Sequence, residues 1–240
     1  FDRAIAMMSL TPPAHASIFT SLYPLQHGLT GSGIALADEF TTIAELLQDR
    51  GYHTAAFVSV DRMFDKTGLN QGFETWGPPP DSEEEAYRRA NETIDVALEW
   101  FETIDPQNPF FAWIHVFDPH SPFRVEEAIF DEMKAVTPEV REELIQFWTN
   151  EHHIDTAHFE GGRGHMFNNI TRYDTEVRFV DRELERFFNR VAERGLDREL
   201  FTVITADHGQ GLGSHNYFAH SHHIYNEQIR IPLILHSSTG

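Results

Sequence analysis

Apolar positions recur along the chain in two alternating rhythms. Residues 41–47 carry theirs at helical spacing and stop at Gly51, and 53–60 follows as a short buried strand. A second helix is predicted over 81–104, opening on an acidic turn with Ile94, Ala97, Leu98 and Phe101 on one face; 109–117 supplies the next buried strand. A third helix, over 171–194, is striped by Val177, Val180, Leu184, Phe187, Phe188 and Val191, closes at Gly195 and leads into a strand over 200–206. A last strand is expected over 229–235. Between Ser121 and Asn169 the rhythm weakens to one helix near 138–148 and a polar stretch at 160–164, expected to form an insertion or lid. Repeated helix-to-strand units predict an α/β fold with a mostly parallel sheet covered by helices.

Composition narrows the partners. The chain has 240 residues, and 38 acidic against 18 basic side chains give a formal charge of −20. That excess repels phosphate backbones and anionic lipid, and the sequence has no basic patch to offset it, so no nucleic-acid partner is expected. The absence of cysteine removes disulfides, thiolate ligands and a cysteine nucleophile together. No run approaches the roughly 20 apolar residues of a membrane span. The stretch Gly77-Pro78-Pro79-Pro80-Asp81-Ser82 is too short to divide domains, so one domain over 1–240 is expected. The chain starts at Phe1 without methionine or leader and stops at Gly240 straight after a strand-like run, and is expected to be a fragment.

Ligands of open α/β sheets collect at the carboxyl ends of strands. There, Ala206 runs into Asp207-His208-Gly209-Gln210-Gly211, a carboxylate beside an imidazole in a glycine-rich turn that lets both face one cation. A solvated turn with a hydrogen-bonded aspartate is an equal reading of those residues alone. Phe117 runs into Asp118-Pro119-His120-Ser121-Pro122-Phe123, where two prolines fix the backbone around His120 and suit an imidazole aimed at an anion. His115, inside the strand, reads first as a buried structural histidine. His220-Ser221-His222-His223 reads as a metal-binding tract or a polar loop. His152, His153, His158 and His165 read as surface. Upstream, Thr11 is expected to cap a helix with Pro12 first inside it, Ile18, Phe19 and Leu22 as its apolar face and Pro24 as its end. The Thr11 hydroxyl would then lie at the positive end of the helix dipole, where an alkoxide is stabilised; an isolated threonine there is most often only a cap.

Four stretches, in order, resemble the sulfatase family of the alkaline phosphatase superfamily. They are Thr11-Pro12-Pro13-Ala14-His15 with Leu22-Tyr23-Pro24-Leu25-Gln26-His27-Gly28; Gly68-Leu69-Asn70-Gln71-Gly72-Phe73; the run from Phe117 to Phe123; and Thr205-Ala206-Asp207-His208-Gly209 leading to His220 and Arg230-Ile231-Pro232-Leu233. The resemblance spans nearly the whole chain and implies a three-layer α/β/α sandwich, alkaline phosphatase-like. It implies Thr11 as nucleophile, Asp207 and His208 as metal ligands together with Thr11, and His120 and His220 against the transferred group. His15, His115 and His222 fall at substrate-binding positions. It also implies one more metal-binding aspartate, on a first strand upstream of residue 1, and a further C-terminal part, so that the chain as given is expected to hold metal weakly and to be inactive, whatever the intact protein does.

The departures bear on substrate. Sulfatases of the best-known kind oxidise Cys or Ser to formylglycine, with Pro two residues later and Arg four later. Pro13 fits that pattern, but the nucleophile is Thr11 and the Arg position is His15. Threonine is a secondary alcohol whose oxidation gives a ketone, so no formylglycine is expected; Ser9 has Thr11 where its proline should stand. The family's Lys and His after the strand at 53–60 are replaced by Ser59-Val60-Asp61, and its later lysine by His222. These changes resemble the threonine-nucleophile branches of the superfamily, which transfer phosphoryl-type groups with a divalent metal. The expected function is therefore hydrolysis of a small anionic ester, a phosphate mono- or diester or a phosphonate, through a covalent intermediate on Thr11. A carboxylate–imidazole set suits one Zn²⁺ or Mn²⁺ better than Ca²⁺, with Ca²⁺ and Mg²⁺ as alternatives. A true sulfatase is the alternative function, and an inactive anion- or metal-binding domain, suggested by Gln210 where relatives carry an acid, the second.

Overall fold

The computed structural model describes residues 1, 3–60, 66–77, 87–134, 143, 146, 149–150, 166–213, 215 and 217–239. In chain order the elements are β1 (Ala4–Ile5), α1 (Thr11–Thr20), α2 (Pro24–His27), α3 (Ile43–Gln48), β2 (His53–Val58), β3 (Thr75–Gly77), α4 (Ala90–Thr103), β4 (Phe110–His115), α5 (Glu127–Lys134), α6 (Met166–Glu193), β5 (Phe201–Thr205), α7 (Asn226–Ile229), β6 (Arg230–Ile231) and β7 (Leu233–Ser237).

β2 lies between β3 and β4 and is parallel to both, in register with β4 from His53–Phe110 to Val58–His115. Successive strand side chains point to opposite faces, and the two faces bury different partners. Ala55 and Phe57 of β2, with Phe110, Ala112 and Ile114 of β4, pack on Ile94, Ala97 and Phe101 of α4 and Phe187 and Val191 of α6. Val58 and Trp113 pack on the other face, against Ala16 and Phe19 of α1 and the Phe73 and Trp76 rings. The result is the helix–sheet–helix layering expected. Strand parity then carries His115, two residues past Trp113, to the α1 face. Arginines of α6 tie the outer helices together, Arg186 reaching Asp95 at 2.7 Å and Arg190 reaching Glu102 at 3.3 Å.

Several boundaries differ from expectation. α4 starts at Ala90, and 87–89 are not helical. Its first turn is fixed there because the Arg89 amide donates to Glu92 and the Ala90 amide to Asp118; positions 81–86 lie outside the described residues. The expected last strand is broken at Pro232, which has no N–H to donate. β6 pairs antiparallel with β1, and β7 antiparallel with β5. Parallel pairing among the described residues is thus confined to β3-β2-β4. In the α6 stripe Val177 is 44% exposed, and Phe179 takes its place inside, packing with Ile129 of α5 and Ala90. The start of the expected insertion is therefore a packed helix. Of the helix expected near 138–148, Glu143 and Gln146 are described and helical; the stretch 160–164 and His152, His153, His158 and His165 lie outside the described residues.

Candidate active site

α1 presents a polar face inward. Leu10 is its N-cap and Thr11 its first helical residue, and no side chain caps it. Thr11 therefore is not the cap expected. Its hydroxyl turns away from the helix end to the His208 ring, Oγ1 to Nε2 at 3.1 Å. Ile18, expected on the buried face, is 44% exposed, whereas Thr11, His15 and Ser17 are buried beside Phe19. The helix ends at Ser21, left-handed with φ 58°, before Pro24 opens α2. His27 Nδ1 accepts the Leu29 amide at 3.2 Å, so its Nε2–H donates to Ser17 at 3.1 Å and clamps α2 to α1.

Asp207 and His208 follow β5 in a turn that only glycine permits. The Gly209, Gly211 and Gly213 amides donate to the carbonyls of Gln228, Ala219 and Tyr217 at 2.8, 3.0 and 3.0 Å. A Cβ on Gly209 would stand 2.2 Å from the Glu227 carbonyl oxygen, and one on Gly211 2.7 Å from that of Tyr217. This zipped pair of loops stacks His220 on His208, centroids 4.3 Å apart. His208 Nδ1 faces the Gly209 carbonyl at 2.8 Å. A carbonyl only accepts, so Nδ1 carries the proton and Nε2 turns its lone pair to Thr11. Asp207 Oδ2 lies 3.4 Å from that same Nε2.

Two buried imidazoles line the other side of the carboxylate. His15 Nδ1 donates to the Thr11 carbonyl at 2.9 Å and lies 3.6 Å from Asp207 Oδ2. Its ring meets those of His115 and Trp113, each at 5.3 Å. Burial lowers the His15 pKa; burial, then the neighbouring His15, pushes His115 down to about 3. Both are neutral near pH 7. Burial opposes the charge of Asp207, but His15, His208 and His115 outweigh it and hold the carboxyl below its usual range.

His120 and His220 meet at 2.9 Å through their Nε2 atoms. His120 Nδ1–H donates to the Ser121 carbonyl, and the ring stacks on Phe117 at 4.2 Å. Its Nε2 is then an acceptor and calls for Nε2–H on His220, whereas the Ser9 carbonyl, 3.2 Å from His220 Nδ1, calls for Nδ1–H; the Ser221 hydroxyl at 2.8 Å serves either tautomer. This neutral pair agrees with burial, which lowers His120 and, with His208 beside it, pushes His220 down to about 4.

Thr11, His15, His115, His120, Asp207, His208 and His220 thus converge, although they come from four separate segments. His222 stands at the rim, its Nδ1 3.0 Å from the Tyr217 hydroxyl, which in turn donates to the His220 carbonyl at 2.7 Å. Tyr217 escapes sequence reasoning, because nothing in its neighbours marks it. The motif at 68–73 is architectural: Leu69 is in the core, and a Cβ on Gly72 would meet the Glu45 amide at 2.2 Å. No group of three or more His, Cys, Asp or Glu side chains arranged to hold a metal occurs among the described residues. Asp207 Oδ2 and His208 Nε2 nevertheless set two electron-rich atoms together beside a hydroxyl, a contact that a cation between them would relieve. That donor set fits part of a divalent-metal shell.

A layered α/β frame with imidazoles and a carboxylate gathered at the carboxyl ends of β4 and β5 is the alkaline phosphatase-like fold. The chain belongs to the sulfatase family, whose model matches residues 1–240. It is similar in structure to BT4656 in complex with its substrate D-glucosamine-2-N,6-O-disulfate, with TM-score 0.76 and 19% identity over 100% of this chain and 64% of that one. It is similar to the phosphonate monoester hydrolase of Agrobacterium radiobacter, with TM-score 0.73 and 18% identity over 99% and 60%. A third similar structure, BT1596, a 2-O GAG sulfatase, gives TM-score 0.68 and 17% identity over 99% and 56%. The chain therefore spans about 56–64% of the length of these structures. No curated protein matches it by sequence.

Proposed function

We propose that this chain is the catalytic portion of an ester hydrolase that uses Thr11 as nucleophile, with phosphate mono- and diesters or phosphonates ahead of sulfate esters. The observation that carries the reading is the contact of Thr11 Oγ1 with the unprotonated Nε2 of His208 at 3.1 Å. The Thr11 proton passes to His208 as Oγ1 attacks phosphorus, the bond from phosphorus to the leaving oxygen breaks, and that oxygen takes a proton from water while the neutral His220 ring stabilises its charge and keeps its own proton. His120 stands against His220 and holds its ring in place for that role. Water then cleaves the Thr11 ester and regenerates the hydroxyl. Asp207, His208 and Thr11 would hold a single divalent cation; His208 Nε2 would then be a ligand and not the base, and the cation would supply the lowered hydroxyl pKa, with the Thr11 proton leaving to solvent, and would neutralise a non-bridging oxygen. His15 orients Asp207, His115 fills the wall behind it, and His222 meets the leaving group at the rim. Threonine cannot yield the aldehyde of formylglycine, which places phosphorus ahead of sulfur.

A sulfate ester hydrolase is the second reading, favoured by the family and by the sulfated sugar that BT4656 takes as substrate. The deciding experiment compares metal-dependent nitrophenol release from a phosphate monoester, a phosphodiester, a phosphonate and the sulfate, using the intact protein and Thr11→Ala. Faster turnover of a phosphorus ester, lost in the variant, supports the first reading. Turnover confined to the sulfate supports the second, and turnover unchanged in Thr11→Ala removes the nucleophile.

A further inference from the structure

Behind the His120 turn lies a second cluster of charge, away from Thr11. Asp118 and Glu176 are 2% and 1% exposed, and one guanidinium serves both. Arg89 Nε reaches Asp118 Oδ1 at 3.3 Å, and Arg89 Nη2 reaches Glu176 Oε2 at 3.0 Å, while the same guanidinium covers the Phe179 ring at 4.0 Å. The other Asp118 oxygen takes the Ala90 amide at the start of α4, at 2.9 Å. Glu176 Oε1 is buried and receives no hydrogen bond from a donor. Two buried carboxylates against one cation would leave a net buried charge; one proton between them removes it.

We infer that Arg89, Asp118 and Glu176 form a positioning triad whose two carboxyl groups share one proton, and that it fixes the turn carrying His120. Glu176 donates from Oε1 to Asp118, which is thereby held against α4. Asp118 begins the turn: the His120 amide donates to the Phe117 carbonyl at 2.8 Å, and the Tyr87 hydroxyl pins the far end by donating to the Pro122 carbonyl at 3.0 Å. The groups facing the pair are Arg89, Tyr87 and Arg124, the last with its guanidinium 4.4 Å over the Tyr87 ring. Burial and then the hydrogen bond with Asp118 raise the Glu176 pKa to about 7, against a lowering by Arg89. An acid raised in the folded state stays protonated while the unfolded chain loses its proton. Its contribution to stability is therefore full at acid pH, falls as pH rises from about 4.5 to about 7, and is constant above.

The effect on turnover rests on the proposed role of His120; the shared proton does not. In the intact protein, thermal midpoints of wild type, Glu176→Gln, Glu176→Leu and Asp118→Asn are measured from pH 5 to pH 8, with the His120 ring resonances and kcat alongside. Glu176→Gln keeps the shape and the donor of a protonated carboxyl. Wild type should lose several degrees relative to it as pH rises, and a difference independent of pH overturns the shared proton. Glu176→Leu and Asp118→Asn should shift the His120 resonances and cut kcat by about tenfold or more with KM little changed, and Glu176→Gln should rescue both. Unmoved resonances in Asp118→Asn overturn the positioning role. Shifted resonances and a midpoint slope in a protein that turns over no ester sink the functional reading and leave the triad standing.

Discussion

Thr11 Oγ1 meets His208 Nε2 at 3.1 Å across 197 positions of sequence. Because Leu10 is the N-cap and no side chain caps α1, the Thr11 hydroxyl has no helix-capping duty. Thr11→Ala should cost about 1 kcal/mol or less in stability, the net worth of one ordinary hydrogen bond, and lower ester turnover by about a thousandfold or more. Thr11→Ser, which keeps the hydroxyl, should retain measurable turnover. Thermal denaturation and nitrophenol release check both, and a large fall in melting temperature for Thr11→Ala would mark the threonine as structural.

The two loops that stack His220 on His208 approach too closely for any side chain at Gly209 or Gly211. Gly209→Ala, whose Cβ would sit 2.2 Å from a backbone oxygen, should destabilise by about 1–3 kcal/mol as an overpacking change. Gly211→Ala should do the same less severely, its shortest approach being 2.7 Å. Both should displace the His208 and His220 ring resonances while leaving those of the β2 and β4 amides in place. Unshifted histidine signals would mean that the loops yield without moving the site.

His115 makes the protein sensitive to acid. Its folded pKa of about 3 lies below the unfolded value of 6.5. Between those values the unfolded chain binds a proton that the folded one refuses, so this contribution is complete above pH 6.5 and is lost as pH falls towards 3. His115→Gln should therefore show a shallower loss of melting temperature between pH 7 and pH 5 than wild type. The Glu176 slope has the opposite sign, but both proteins carry it and it cancels in the comparison. Parallel pH profiles would refute the buried neutral state of His115.

Tyr217 links His222 to the backbone of His220. Tyr217→Phe removes the hydroxyl that donates to the His220 carbonyl at 2.7 Å and should lower kcat by about tenfold, with about 1 kcal/mol lost in stability. Steady-state kinetics beside thermal melts check this, and unaltered kcat would leave Tyr217 with no part in placing His220.

The legible parts of this protein are those whose signal is local. The periodic stripe of α6 and the buried runs of β2 and β4 declare themselves because each element buries one face over many residues. His120, Asp207 and His208 are legible because they follow strands, whereas His15, in α1, and His115, inside β4, are marked as site positions only by the family resemblance. What escaped was set by partners distant in the chain. Nothing beside Arg89 in the sequence marks it, because its partners Asp118 and Glu176 stand 29 and 87 positions away. The start of α4 was misplaced because its first amide is held by Asp118, and no pattern within the helix records that. Thr11 looked like a cap because threonine before proline usually is one; the polar inward face of α1 reverses the ordinary rule because it borders the site. Pro232 sits inside an otherwise apolar run, where only its missing N–H separates β6 from β7.

The first and last contributors to the site are made far apart in time. A chain leaving the ribosome delivers β2, β4, α4 and α6, with the clusters that join them, before Asp207 and His208 exist. Until those two arrive, the Thr11 hydroxyl lacks the imidazole it meets at 3.1 Å in the finished fold. A cut between β5 and Asp207 would leave those layers without the residues that Thr11, His15 and His220 meet.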